Sequence, residues 1–297
     1  MSDRDTYTFG DDDIASRRLA RLAALYDPET RALVGRATRR SSEARGARPA
    51  PEVADPRSES SAEHDRLGGR VPWGLPARPP ALALDLGCGP GWSTRLVHEV
   101  AGATRTVGID ASDRYIAEAR FRHPALEFVI ADVAAPLPIA GADLIVSRFL
   151  LTHLARPSEA LTAWACGAAP GARLALHETE GLASSHPALT RYYELLGALQ
   201  AHHGQALYIG ALLDGALAAT PWRVVESCAV VLDKPVAAMA ELHVANLRTW
   251  RNDPFARDHF DPHELDDLDA ALDALAAGRD TAPPVENLAR QIIAALD

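Results

Sequence analysis

The sequence predicts an α/β fold in which a doubly wound, mostly parallel sheet carries helices on both faces. From residue 81 to about 185, short apolar strands alternate with helical segments, the order that produces a parallel sheet with right-handed crossovers. The first of these strands runs into a glycine-rich turn, and acidic residues follow several strands where they end. A chain of 297 residues with 47% hydrophobic residues is large enough for one large domain or a domain plus a cap.

The turn after the first strand is the most informative segment of the chain. Residues 81–91 read ALALDLGCGPG, an apolar strand that contains Asp85 and then places glycine at every second position, Gly87, Gly89 and Gly91. Because these positions carry no Cβ, a nucleoside ligand can approach the main chain closely. A helix-compatible segment follows, so we expect a cofactor to lie over this turn.

The second and third strands also end at acidic residues. The strand over 105–110 ends in Asp110, and the strand over 126–130 is followed by Asp132 and Val133. Open α/β sheets bind ligands outside the carboxyl ends of their strands. These residues therefore belong to the expected binding edge of the sheet.

The helices beside the second strand have recognisable ends. Gly102 is placed to end the preceding helix in the left-handed conformation. Ser112 is placed to cap a helix of about ten residues that stops at Pro124.

Two further strands complete the parallel series. The fourth, 143–147, leads into Arg148 and a segment with His153, and the fifth, 173–178, ends in Glu178. Arg148 has two possible partners, a carboxylate of a bound ligand or an acidic residue of the core. Only one face of the fifth strand can point into a pocket.

The chain divides into four predicted segments. Residues 1–35 form a helical N-terminal piece, with one helix capped by Asp12 or Asp13 and another starting at Asp27-Pro28; residues 36–80 form a flexible linker or insertion; residues 81–185 form the cofactor-binding core; and residues 186–297 form a helical lid plus the last strand or strands. Two explanations of the insertion stay open. It gates access to the site, or it has no function and is tolerated because it lies at a surface junction of the fold.

The last segment is mainly helical. Apolar residues recur at helical spacing over 187–203, 208–219, 235–250 and 262–277, and a strand begins at Trp222. The tail over 285–295 is helical by propensity.

The glycine turn resembles the first motif of the class I S-adenosylmethionine-dependent methyltransferases, in which an acid lies two residues before a G-x-G-x-G turn. Other segments are similar to one bacterial group of these enzymes that acts on small molecules: Tyr7 to Gly10, Arg18-Leu19 and Pro28 to Thr30 before the turn, with Arg148 and Glu178 after it. The long stretch between Gly35 and Pro80 departs from the group's short connection.

The resemblance implies a Rossmann-like, seven-stranded sheet whose last strand, at 285–295, is antiparallel. It implies S-adenosylmethionine as cofactor, with S-adenosylhomocysteine as product, and lid helices that form the acceptor pocket. The residues that it assigns to the cofactor are Tyr7, Arg18, Asp85, Gly87, Gly89, Gly91, Asp110, Ala111, Asp132, Val133 and Arg148. Within this set, Asp110 is the expected ligand of the ribose, and Asp132 and Val133 are the expected contacts of the adenine.

The implied reaction requires little chemistry from the protein. A sulfonium methyl group is already activated, so alignment of the acceptor is the main requirement, and a base is needed only if the acceptor starts protonated. His153 and Glu178 are the candidates for that base. Whether the acceptor atom is oxygen, nitrogen or carbon stays open.

Three other functions share part of the pattern. A dinucleotide-binding enzyme would need G-x-G-x-x-G, but Trp92 stands where the third glycine should be. An enzyme that uses the same cofactor for cyclisation or decarboxylation would carry every motif. A non-enzymatic regulator on a retained fold would bind the cofactor without turnover.

The helical lid favours a small-molecule acceptor, and composition argues against nucleic acid and membrane as partners. The net charge of −10 and the absence of a long basic run argue against nucleic-acid binding. No stretch approaches the roughly 20 apolar residues of a membrane span, and no secretion signal is visible, so we expect a cytoplasmic protein. No C-x-x-C pair occurs among the three cysteines, Cys88, Cys166 and Cys228, so no metal site is predicted. The sequence does not indicate the oligomeric state.

Overall fold

The computed structural model describes residues 13–39 and 79–297 and contains a seven-stranded sheet in the order β3-β2-β1-β4-β5-β7-β6. The strands are β1 (Leu82–Leu86), β2 (Arg105–Asp110), β3 (Glu127–Ile130), β4 (Ala142–Arg148), β5 (Ala168–Ala183), β6 (Arg223–Lys234) and β7 (Val285–Ala295). Strands β1 to β5 are parallel, and β7 pairs antiparallel with both β5 and β6. The predicted doubly wound, seven-stranded fold is confirmed.

Nine α-helices belong to the described parts of the chain. They are α1 (Asp13–Ala37), α2 (Trp92–Ala101), α3 (Asp113–Arg122), α4 (Pro157–Gly167), α5 (Pro187–His202), α6 (Leu213–Ala218), α7 (Val236–Trp250), α8 (Pro254–His259) and α9 (Pro262–Ala276). Short 3-10 helices lie at Leu151–His153 and Ile209–Leu212. None of these helices is long and apolar enough to span a membrane.

The ends of α2 and α3 follow the local sequence. Gly102 adopts a left-handed conformation, with φ of 59°, and its N–H donates to the carbonyl of His98. The Ser112 side chain accepts the Tyr115 N–H at 3.1 Å and satisfies a backbone donor in the first turn of α3. Both predicted ends are confirmed.

The predicted break at Asp27-Pro28 is wrong, because α1 continues through Pro28 to Ala37. Proline in a helix interior removes one backbone hydrogen bond and costs about 3 kcal/mol. Tertiary packing offsets this cost: Leu33 and Val34, beyond the proline, are fully buried against the sheet and α2. Tyr7 and residues 40–78 of the predicted insertion lie outside the described residues.

The 285–295 tail is the antiparallel strand that the resemblance implies, and its helical propensity is overridden. Ile292, Ile293 and Ala294 are each at most 4% exposed, so the strand is buried on both faces between β5 and β6. The apolar C-terminal part of β7, Ile292 to Ala295, is buried throughout, as suits a strand paired on both edges.

Helices α5, α7, α8 and α9 share a hydrophobic cluster of their own, separate from the main core beneath the sheet. Trp250 and Leu272 are essentially inaccessible within it. Residues of α5 and α7 also reach the carboxyl ends of the parallel strands, where they form one wall of a large cavity.

Candidate functional site

A cavity of about 1070 Å³ lies at the carboxyl ends of β1 to β4. The glycine turn and the residues that follow β2, β3 and β4 form one side, while α1, α5 and α7 form the other. The strand order reverses between β1 and β4, and such a switch point is where open α/β sheets bind ligands. The volume lies at the upper end of the range of small-molecule sites.

The glycine turn presents backbone without a side chain to this cavity at Gly87 and Gly89. Gly87 and Gly89 have φ of 68° and 50°, conformations that side chains rarely adopt. A Cβ on Gly87 would lie 2.7 Å from Leu150 Cδ1. The N–H groups of Gly87 and Cys88 donate to the carbonyl of Ile109 at 2.8 and 3.1 Å, which joins the turn to β2.

Asp85 and Gly91, expected as cofactor contacts, are not among the residues that line the cavity. Asp85 is 1% exposed, and its Oδ2 accepts the hydroxyls of Ser93 and Thr94, each at 2.7 Å. Burial raises the pKa of Asp85 to about 6. A Cβ on Gly91 would lie 3.0 Å from the ring of Phe128. Asp85 and Gly91 therefore hold the glycine turn against the start of α2 and the neighbouring strand β3.

The residues after β2 and β3 lie on the cavity wall as predicted. Asp110 Oδ2 accepts the Gly89 N–H at 2.8 Å, and its Oδ1 accepts the Ser112 N–H at 2.9 Å. This carboxylate therefore ties the glycine turn to the start of α3. Ala111, Asp132 and Val133 continue the same wall.

Two arginines occupy the opposite end of the cavity. Arg148 is buried, and its Nη1 donates to Asp27 Oδ1 at 2.8 Å and to Thr30 Oγ1 at 3.2 Å. Arg18 is also buried, and its Nη1 donates to Asn246 Oδ1 at 2.9 Å. Arg148 therefore has an acidic partner, Asp27 of α1, and its side chain also lines the cavity.

His153 lines the cavity at the end of the 3-10 helix Leu151–His153. Burial, and then the positive charge of Arg18, lower the pKa of His153 to about 3. The imidazole is therefore neutral at pH 7. In this state it can take part in hydrogen bonds but is a weak base.

Glu178, the other candidate base, is not among the residues that line the cavity. It is fully buried, and its Oε1 accepts the N–H groups of Leu150 and Leu151 at 2.9 and 2.8 Å. Burial raises the pKa of Glu178 to about 8. The side chain caps the 3-10 helix that carries His153, so its role in the fold is structural.

Among the polar wall residues that sequence reasoning missed are four from the later part of the chain: Gln200 on α5, His243 and Asn246 on α7, and Asn287 on β7. All are at most 7% exposed. Asn287 Nδ2 donates to the Tyr26 hydroxyl at 2.8 Å, and His243 Nε2 lies 3.0 Å from the Tyr193 hydroxyl. They come from three elements far apart in sequence, so no local spacing indicates that they meet.

Charge divides the cavity into two ends. Asp110, Asp113 and Asp132 lie at the β2 and β3 end, whereas Arg18 and Arg148 lie at the α1 and β4 end. Carboxylates accept hydrogen bonds from hydroxyl and amino groups, and arginine binds carboxylates. The arrangement suits a ligand with hydroxyl groups at one end and a carboxylate at the other.

Known proteins with a similar sequence or fold include methyltransferases. Residues 83–171 match the family model of a methyltransferase domain. The chain is 30% identical over 232 residues to trans-aconitate 2-methyltransferase of Methylobacterium radiotolerans, across 74% of this chain and 85% of that protein. It is 35% identical over 186 residues to the Streptomyces avermitilis protein of the same name, across 57% and 67%. The solved structure of the YcgJ protein of Bacillus subtilis aligns with a TM-score of 0.46 and 14% identity, across 74% and 93%.

Proposed function

The chain belongs to the class I S-adenosylmethionine-dependent methyltransferases, and from this premise we propose that it methylates a small molecule held between the glycine turn and the lid helices α5 and α7. The relatives named above act, by their names, on a small molecule, trans-aconitate. The wall formed by α5 and α7 leaves a cavity suited to a compact acceptor.

The junction of the glycine turn with Asp110 is the observation that carries the proposal. The hydrogen bond from Gly89 N–H to Asp110 Oδ2 sets a carboxylate beside a glycine, where the backbone carries no side chain. A carboxylate oxygen can accept more than one hydrogen bond. In our proposal Asp110 therefore accepts the ribose hydroxyls while the backbone of Gly87 and Gly89 lies against the sugar and the methionine part.

The remaining cofactor contacts follow from their places on the wall. Asp132 and Val133, which follow β3, hold the adenine edge beside Ala111. Arg18 and Arg148, at the opposite end, are the cations available to the methionine carboxylate.

When bound, S-adenosylmethionine supplies a methyl group already activated on a sulfonium. The protein's contribution is to orient the acceptor and exclude water, and such positioning accelerates reactions by many orders of magnitude. His153, neutral at pH 7 and on the wall, orients a hydrogen-bonding group of the acceptor. Thr152, beside it, fixes the local backbone by donating to the carbonyl of Ala206 at 2.7 Å.

Calorimetric titration with S-adenosylmethionine and S-adenosylhomocysteine tests the proposal, followed by transfer of labelled methyl groups to a panel of small molecules that includes trans-aconitate. We expect both nucleosides to bind with one site per chain and the Asp110→Ala variant to bind more weakly. Asp267→Ala, at an exposed position of α9, is the matched control and should bind normally. Absence of binding to the unaltered protein would refute the proposal.

A further inference from the structure

We propose that the acceptor is an uncharged, largely apolar molecule that carries hydrogen-bond donors, and that the lid side of the cavity selects against polyanions. This inference rests on the proposed function and specifies its substrate class. It separates this chain from its named relatives, because trans-aconitate is a tricarboxylate.

The lid side of the cavity carries no charge among the residues that the structure describes. The wall residues from β5, α5, α7 and β7 are apolar or neutral polar side chains, for example Leu196, Met239 and Leu242. His243, the one titratable group in this part of the wall, has a pKa lowered to about 3 by burial, so it is neutral at pH 7. The lid therefore offers no cation to an acidic acceptor.

The two arginines on the opposite wall do not make up for this. Asp27 lies 2.8 Å from Arg148 and offsets its positive charge. Arg18 donates to Asn246, and the carboxylate of the cofactor is expected to take one of the two arginines. At most one arginine then remains for an acceptor, so a tricarboxylate would leave at least two of its three charges in the cavity without a cation, which is unfavourable.

Three buried side chains on the lid side of the cavity have polar atoms without a hydrogen-bond partner in the described structure. They are Gln200 Oε1, His243 Nδ1 and Asn287 Oδ1, on residues that are at most 4% exposed. Buried polar groups without partners are rare in proteins, and a ligand can supply the missing bonds.

The chemistry of these atoms also favours an uncharged acceptor. Amide oxygens accept hydrogen bonds, so Gln200 and Asn287 call for hydroxyl or N–H donors in the ligand. An ionised carboxylate has only acceptor oxygens and would meet these amide oxygens unfavourably. The apolar residues beside them suit a hydrocarbon or aromatic skeleton.

Matched probes of opposite charge type test the inference. We would measure calorimetrically the binding of 2-naphthol, 2-naphthoate and trans-aconitate, with the protein alone and with the protein saturated with S-adenosylhomocysteine. We expect 2-naphthol to bind at least about tenfold more tightly than either anion, a difference of about 1.4 kcal/mol. The inference is overturned if either anion binds as tightly as 2-naphthol, or if the protein shows no preference among the three probes.

A charge placed in the lid sharpens the test. Leu242→Lys, on the cavity wall, should reduce or reverse the preference for 2-naphthol, whereas Leu212→Lys, at an exposed position away from the cavity, should leave it unchanged. Failure of S-adenosylhomocysteine to bind would refute the proposed function, and the ratio of probe affinities in the unloaded protein would still decide the substrate class. If Leu242→Lys does not fold, the comparison of probes on the unaltered protein remains decisive.

Discussion

Replacing Glu178 by glutamine is expected to change how stability depends on pH. Burial raises the pKa of Glu178 from 4.5 to about 8, whereas the same carboxyl in the unfolded chain keeps its ordinary value. The folded protein therefore holds a proton that the unfolded chain releases. The stabilisation from this proton is fully present below pH 4.5 and is lost as pH rises through about 8. At 1.36 kcal/mol per pKa unit, its upper limit is about 5 kcal/mol.

The Glu178→Gln variant has no titrating group at this position and keeps an oxygen that can accept the N–H groups of Leu150 and Leu151. Above about pH 8, where the carboxyl of the parent protein ionises in a buried site, we expect the variant to be the more stable of the two. Between about pH 5 and pH 8, the unfolding free energy of the parent protein should fall relative to that of the variant.

Denaturant unfolding followed by circular dichroism, at about pH 5, 7 and 9, measures this difference. Glu159→Gln, at an exposed position of α4, is the control and should run parallel to the parent protein at all three pH values. If Glu178→Gln also runs parallel to the parent, the carboxyl does not titrate as its burial requires, and the reasoning is refuted.

The same variant separates capping from catalysis. If Glu178 only caps the 3-10 helix below His153, methyl transfer at saturating substrate should change by no more than a few fold. Loss of a general base typically costs about 10²–10⁴-fold in rate. A loss of that size, in a variant that remains folded, would return Glu178 to the list of catalytic residues.

Three further changes address the cofactor side of the cavity. Asp110→Ala should weaken binding of S-adenosylhomocysteine by about 1–3 kcal/mol, measured by calorimetry, and an unchanged affinity would remove Asp110 from the site. Gly87→Ala should destabilise the fold by at least about 1–2 kcal/mol, because φ is 68° and the new Cβ would meet Leu150 Cδ1 at 2.7 Å; an unchanged thermal midpoint would contradict this. Asp27→Asn should cost roughly 3 kcal/mol in unfolding experiments by leaving Arg148 buried without its anion, and a cost below about 0.5 kcal/mol would show that the pair contributes little.

The parallel half of the fold was predictable because its signals are local. The apolar strands, the glycine turn and the helix ends at Gly102 and Ser112 each depend on a few neighbouring residues, and all are confirmed. The break at Pro28 was wrong for the opposite reason. Contacts of α1 with the sheet and α2 outweigh the local cost of the proline, and such contacts leave no mark in a short window of sequence.

The residues of the candidate site also fall into two groups, those whose place follows from the local sequence and those whose place depends on tertiary packing. Residues directly after strands, such as Asp110 and Asp132, lie on the cavity wall as their positions indicate. Asp85 and Glu178 have equally suggestive positions but turn away from the cavity to satisfy hydroxyl and backbone donors. Gln200 meets the cavity only through the packing of the lid, so its place there could not be read from spacing.

The position of β7 has a consequence for the order in which the protein can assemble. Strand β6 joins the sheet through β7, and the segment between them forms α7, α8 and α9. During synthesis, β6 therefore leaves the ribosome well before the strand that will anchor it. Until β7 emerges and inserts, β6 lacks the strand that pairs with it in the sheet, and the adjacent edge of β5 is uncovered.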